Sequence, residues 1–201
     1  MWKSNWTETQ RRFVNWWNRK GLFIGMWGAP NGGRALHEPV IAPIVPSHLD
    51  DRYCDGEFRA AENHYRLSHS SFPLDVLPVA ITDLGPGSLA LFLGAQPDFA
   101  EETVWYYPSI EQDAEPEKLP ALRFDPGARW WQTTEQILKR CSEVASGKYL
   151  VGCPDLVENL DVLSSLRGAQ TLCFDLTERP EWVEQKVREI NEVWFAAYER
   201  I

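Results

Sequence analysis

Asp75-Val76-Leu77-Pro78-Val79-Ala80-Ile81-Thr82-Asp83-Leu84-Gly85-Pro86-Gly87 reads as a short apolar strand running into a polar, glycine-bearing loop. That reading decides the fold. A continuous apolar run of this length, bounded by turn residues, marks a strand buried on both faces. Pro78 interrupts it, because proline brings no N–H to a ladder. Beyond it, Gly85-Pro86-Gly87 predicts a turn, and Ser88 to Leu93 a short helix ended by Gly94. Leu22-Phe23-Ile24-Gly25-Met26-Trp27 upstream and Tyr149-Leu150-Val151-Gly152 downstream are further strands by the same criterion.

Helical periodicity fills the intervals. Thr7 to Lys20 carries Phe13, Trp16 and Trp17 at helical spacing and closes at Gly21. Asp50 to His69 reads as one helix with Phe58, Ala61 and Tyr65 on one side. Asp125-Pro126 predicts a helix start, with Asp as N-cap and Pro in the first turn. Trp131, Ile137 or Leu138, Cys141 and Val144 form the stripe behind it, up to Gly147. Leu156 to Leu166 and Ala169 to Leu176 follow, and Pro180 opens a last helix striped by Val183, Val187, Ile190 and Trp194. Strands alternating with helices predict parallel strands joined by crossover helices, an α/β fold. Residues 98–124 break the pattern, with β-formers at Thr103 to Tyr107 and an acidic, proline-bearing connection at Ile110 to Leu119. They read as an excursion, a hairpin over the mouth of the fold.

Composition excludes several classes. The chain has 201 residues, a net charge of −9 and ten tryptophans. Its basic residues are scattered, whereas a nucleic-acid surface needs a concentrated basic face. No apolar run reaches the roughly 20 residues of a membrane-spanning helix, and Met1-Trp2-Lys3-Ser4-Asn5 has no apolar signal core. Cys54, Cys141, Cys153 and Cys173 lie far apart with no C-x-x-C spacing. Dispersed thiols read as reduced, so the expected compartment is the cytoplasm. His37, His48, His64 and His69 fit no zinc spacing, and no metal ligand is assigned.

In parallel α/β barrels the functional groups gather on loops after the C-terminal ends of strands. By that rule Trp27, Asn31 and Arg34 follow the first strand, Asp83 follows the second, and Cys153, Asp155, Asn159 and Asp161 follow the third. Carboxylates there act as acids, bases or cation ligands. The plainer alternatives stand beside these roles. Asp83 and Asp155 serve equally well as caps for the helices after them, Asp161 as a solvated helix residue, and Arg34 as an exposed loop cation.

Two stretches resemble the uroporphyrinogen decarboxylase superfamily: Phe72 to Pro86 continuing to Leu93-Gly94, and Tyr149 to Leu156 continuing through Asp161-Val162-Leu163, Leu166-Arg167-Gly168 and Pro180-Glu181. The resemblance implies a TIM-type (β/α)8 barrel with a pocket at its mouth. Such a barrel takes about 250 residues, so three strands predict its N-terminal part only, as one domain over residues 1–201. The resemblance makes Asp83 the catalytic aspartate, with Trp27, Asn31, Arg34, Asp155, Asn159 and Asp161 lining the substrate. The decarboxylase's loop after its first strand resembles R-Q-A-G-R, and here that stretch is Gly28-Ala29-Pro30-Asn31-Gly32-Gly33-Arg34, with one arginine. The slot of a family tyrosine holds Leu163. The methyltransferase branch, which moves methyl groups between corrinoid proteins and thiols such as coenzyme M, is the better neighbour, through Asp75-Val76-Leu77-Pro78 and Trp130-Trp131. It implies a small-molecule or corrinoid-protein partner, a homodimer, and a zinc ion held by His and Cys ligands of the second half of the barrel. A decarboxylating lyase of porphyrin synthesis is the alternative. A non-catalytic half-barrel that binds a partner chain is the rival of another class.

Overall fold

The structure is a computed structural model and describes residues 1–25, 33–111, 114–115, 118–157 and 159–201. In chain order its elements are α1 (Trp6–Trp17), α2 (Leu49–Cys54), α3 (Gly56–Ser68), β1 (Val79–Ala80), α4 (Ser88–Phe92), β2 (Gln96–Phe99), β3 (Val104–Tyr107), α5 (Arg129–Ala145), β4 (Leu150–Val151), α6 (Asn159–Arg167), α7 (Ala169–Glu178) and α8 (Pro180–Tyr198). The fold is mixed α/β, and among the described residues no sheet closes into a barrel. The chain divides into two compact units. Unit 1 comprises Met1–Pro46, Asp55–Thr82 and Ile137–Gly152, and unit 2 comprises Ser47–Cys54, Asp83–Gln136 and Cys153–Ile201.

In unit 1, β1 and β4 pair in parallel with Val79 opposite Leu150 and Ala80 opposite Val151. Pro78 enters this ladder as an acceptor, its carbonyl taking the Leu150 N–H at 2.8 Å, so its missing donor is not needed there. Gly152 donates to the Ala80 carbonyl at 2.9 Å, and a Cβ on Gly152 would lie 2.8 Å from that same oxygen. The other edge of β1 is held by side chains of α3. Asn63 donates its amide to the Ile81 carbonyl and accepts the Ile81 N–H, both at 2.8 Å, and Arg66 donates to the Val79 carbonyl at 3.0 Å. These side chains satisfy backbone groups that a third strand would otherwise take. The strand expected over Asp75 to Ile81 therefore shortens to two residues. Behind it Leu67, Phe72, Val76, Ala80, Ala145 and Tyr149 form the core, with Trp2 and Val151 packed on it.

The N-terminal segment grips the entry to β1. Leu74 has φ +51, and its carbonyl accepts from Lys3 Nζ at 2.8 Å and Asn5 Nδ2 at 3.0 Å. Asp75 is buried and accepts from Arg12 Nε at 2.5 Å and the Ile24 N–H at 2.9 Å. The helix expected to run to Lys20 stops at Trp17, because Arg19 turns left-handed at φ 58. Leu22 to Gly25 form no strand, and Met26 and Trp27 lie outside the described residues. The single helix expected over Asp50 to His69 is two. Asp55 adopts extended backbone between them and caps α3 through the N–H groups of Glu57 and Phe58.

In unit 2 a hairpin runs from Gln96 to Tyr107, beginning before the expected excursion and covering only its first part. β2 and β3 pair antiparallel, with Phe99 opposite Val104 and Pro97 opposite Tyr106. Tyr53 of α2 stacks on Phe99 at 4.7 Å and donates to the Ala100 carbonyl at 2.8 Å. The expected start at Asp125-Pro126 becomes a turn, in which the Asp125 carboxylate accepts the Gly127 N–H at 2.8 Å, and α5 begins at Arg129. α6 packs against α7, α8, α4 and β3. Its Val162, Leu163 and Leu166 are buried with Leu172, Val183, Ile190 and Ala197. Leu163 is a core residue.

Candidate functional site

The loop after β1 is built around glycine. Gly85 has φ +101, and a Cβ there would lie 2.6 Å from Val104 Cβ and 3.0 Å from Tyr106 Oη. Only glycine fits both the backbone and the space. Val104 and Tyr106 alternate along β3 and therefore share a face, and that face lies on the loop. Ser88 locks the turn, its Oγ accepting the Leu84 N–H and donating to the Gly85 carbonyl, both at 3.3 Å. The backbone N–H of Ser88 donates to the Asp155 carbonyl at 2.7 Å. That bond ties the loop after β1 to the loop after β4 within unit 2.

Asp83 and Asp155 use their carboxylates alike. Asp83 Oδ1 accepts the Gly85 N–H at 3.3 Å, and Asp155 Oδ1 accepts the Val157 N–H at 3.1 Å. Both are local turns closed by an aspartate side chain onto the residue two places on. Asp83 does not cap the following helix: the residue before α4 is Gly87, left-handed at φ 85, and no side chain caps α4. Asp83 is half-buried and Asp155 is exposed.

Tyr106 completes the group. Its hydroxyl donates a long hydrogen bond, 3.4 Å, to the Leu84 carbonyl. Burial pushes its pKa up, and the charges of Asp83 and Asp155 push it further. The phenol is thus a neutral donor throughout the physiological range, beside two carboxylates. Cys153 is exposed, and its thiol is raised first by the burial of its sulfur and then by Asp155. It stays protonated and a poor nucleophile at neutral pH. The arrangement offers one fixed hydrogen-bond donor and a negative field. It favours neutral or cationic groups and opposes anionic ones.

The remaining expected residues are placed as follows. Asn159 opens α6 with φ +53 and is exposed, and Asp161 is exposed in the first turn of α6, favourably near the positive helix end. Arg34 is exposed in unit 1. Trp27 and Asn31 lie outside the described residues. The structure brings Asp83 and Asp155 together and adds Tyr106. Sequence reading noted Tyr106 only as a β-former; the alternation of Val104 and Tyr106, set against a glycine-bearing turn, is the signal that could have singled it out.

A second polar group lies in unit 1. Glu38 accepts from His64 Nε2 at 2.6 Å and from Lys148 Nζ at 2.9 Å, and His64 Nδ1 lies 3.1 Å from the Tyr149 hydroxyl. Tyr149 is buried in the core, so this carboxylate–imidazole–phenol line holds packing together. His37 reaches the Ser70 carbonyl at 2.9 Å, and His69 bonds to Ser68 Oγ and the Tyr65 carbonyl, each at 2.8 Å. Among the described residues no three His, Cys, Asp or Glu side chains gather as a metal site. The zinc implied by the resemblance therefore has no ligand set there. No helix of the described residues is long and apolar enough to cross a membrane.

Comparisons with protein-family profiles, with curated proteins and with solved structures give no match to this chain.

Proposed function

We propose that the chain forms the N-terminal part of a (β/α)8 barrel of the uroporphyrinogen decarboxylase type, and that this enzyme carries out corrinoid-linked methyl transfer to a thiol or related acceptor. The observation that carries the reading is the group made by Asp83, Tyr106 and Asp155. Its two aspartates follow the C-terminal ends of β1 and β4, strands that pair in parallel. Loops in that position hold the reacting groups of parallel barrels. Asp83 is the polar group at the reacting centre, and Tyr106 turns its hydroxyl away from the long bond to the Leu84 carbonyl to donate to the acceptor. The resemblance assigns Asp155, Asn159 and Asp161 to the substrate, and likewise Trp27, Asn31 and Arg34.

Charge favours methyl transfer over decarboxylation. An octacarboxylate such as uroporphyrinogen would set its anions against Asp83 and Asp155, with one arginine left of the family's R-Q-A-G-R loop. Like charges in a confined site cost several kcal/mol. A methyl group on a corrinoid brings no carboxylate, and coenzyme M brings one sulfonate and its thiol where uroporphyrinogen brings eight carboxylates, so the opposing charge is much smaller.

The test supplies methylcobalamin, coenzyme M and zinc to a protein that carries the complete barrel, and follows the methyl thioether by chromatography. The expected result is turnover above the uncatalysed exchange, falling at least tenfold in Asp83→Asn. Asp83-dependent release of carbon dioxide from uroporphyrinogen would instead establish the lyase, and inactivity toward both would remove the enzymatic reading.

A further inference from the structure

The charge of this chain is divided between its two units. Unit 1 holds eleven Lys and Arg against seven Asp and Glu, a net of +4, while unit 2 holds nine against twenty-two, a net of −13. Each unit also exposes an aromatic patch edged by its own sign of charge. On α1 and the turn after it, Trp17 is 80% exposed, Val14 59% and Trp16 51%. Trp16, Trp17, Arg19 and Gly21 line an open hollow of about 610 Å³. Arg19 and Lys20, both exposed, form no ion pair among the described residues. On α8, Phe195 is 54% and Tyr198 52% exposed, and Tyr198 stacks on Trp194 with centroids 4.9 Å apart. Glu192, Phe195 and Glu199 are spaced three and four apart and so share one helix face. Both glutamates are exposed.

We propose that the α1 face of one copy docks on the α8 face of a second copy, head to tail. The hollow beside Trp16 and Trp17 receives the Phe195 and Tyr198 rings, while Arg19 and Lys20 meet Glu192 and Glu199. Exposed tryptophan patches of this kind serve as anchors when a partner desolvates them. The charge division selects the partner. An anionic lipid surface would attract α1 but repel the −13 of unit 2, whereas a second copy presents an acidic aromatic face of matching character. Because the two faces differ, the contact is heterologous and propagates from copy to copy.

Sedimentation velocity of the full chain and two charge-reversed variants tests this. One variant carries Arg19→Glu and Lys20→Glu, the other Glu192→Lys and Glu199→Lys. The wild type is expected to sediment above its 23.1 kDa monomer at high micromolar concentration. It should return toward monomer in about 0.5 M salt, where exposed charges are screened. Each variant alone is expected to be monomeric, with an unchanged circular-dichroism melting curve. An equimolar mixture of the two is expected to assemble again, since each variant's reversed face complements the other's. A wild type that stays monomeric, variants that assemble as the wild type does, or a mixture that stays monomeric overturns the proposal. Monomeric protein that binds phosphatidylserine vesicles through α1 overturns it in favour of lipid.

Discussion

At the residue scale, Gly85 carries the most consequence for the site. Its φ of +101 and the 2.6 Å approach of Val104 leave no room for a side chain. Gly85→Ala combines left-handed strain with overpacking, and the expected loss is about 3 kcal/mol. Urea unfolding measures it, and amide exchange at Val104 to Tyr107 should accelerate as the hairpin lifts. An unchanged midpoint would mean that β3 does not press on this loop. Cys153 reports on the same site electrically. Its raised thiol pKa comes from burial and then from Asp155, so removing that charge lowers it. At pH 7.5 iodoacetamide should therefore alkylate Cys153 slowly in the wild type and several-fold faster in Asp155→Asn, as read by peptide mass spectrometry. Equal rates would separate Asp155 from the thiol. Tyr106 was hidden at this scale because a tyrosine in an alternating stretch looks like any β-former until the turn beneath it is known.

At the scale of elements, two helices account for how far β1 extends and how it is entered. Asn63 and Arg66 of α3 occupy the edge of β1 opposite β4. No periodicity announces this, because an asparagine on a helix face reads as solvent-facing until its backbone partner is located. α1 holds the entry through Asp75, whose carboxyl is raised by burial but brought below its ordinary value by the Ile24 N–H and Arg12. A carboxyl lowered in the folded state contributes stability that is complete above its unfolded pKa of about 4 and is lost as pH falls through the folded value. Asp75→Asn should lower stability at pH 7, since it removes the carboxylate charge that Arg12 and the Ile24 N–H address. The gap between variant and wild type should close as pH drops toward 3, as followed by urea midpoints at both pH values. A gap independent of pH would show that the contact works through shape rather than charge. Helix boundaries were legible where a cap or a turn residue marked them. They failed at Asp55, which caps a second helix inside a stretch that read as one, and at Asp125, which closes a turn ahead of α5 where the helix start was expected.

At the scale of the whole molecule, the α/β character was legible, and so were the parallel pairing of the Val79 and Leu150 segments and the β-forming stretch that becomes β3. Each rests on chain-local rules: apolar runs, helical spacing and turn residues. The length of β1 was not legible, because side chains from α3, 13 to 18 residues earlier in sequence, satisfy its free edge. The division of charge into +4 and −13 was likewise invisible in a net of −9, since it requires knowing which segments fold together. The site divides the same way. Asp83 and Asp155 could be placed on the loops after β1 and β4 from position, because strand-to-loop transitions are written locally. Sequence by itself determined most of the helices, the β1 and β4 segments and the place of two aspartates on the loops after them. The tertiary structure decided that those aspartates share a tyrosine from a hairpin, that Leu163 is core, and that Trp16 and Trp17 face outward. The physical reason is that burial, shared hydrogen bonds and electrostatic fields belong to pairs of residues remote in sequence, which no local pattern encodes.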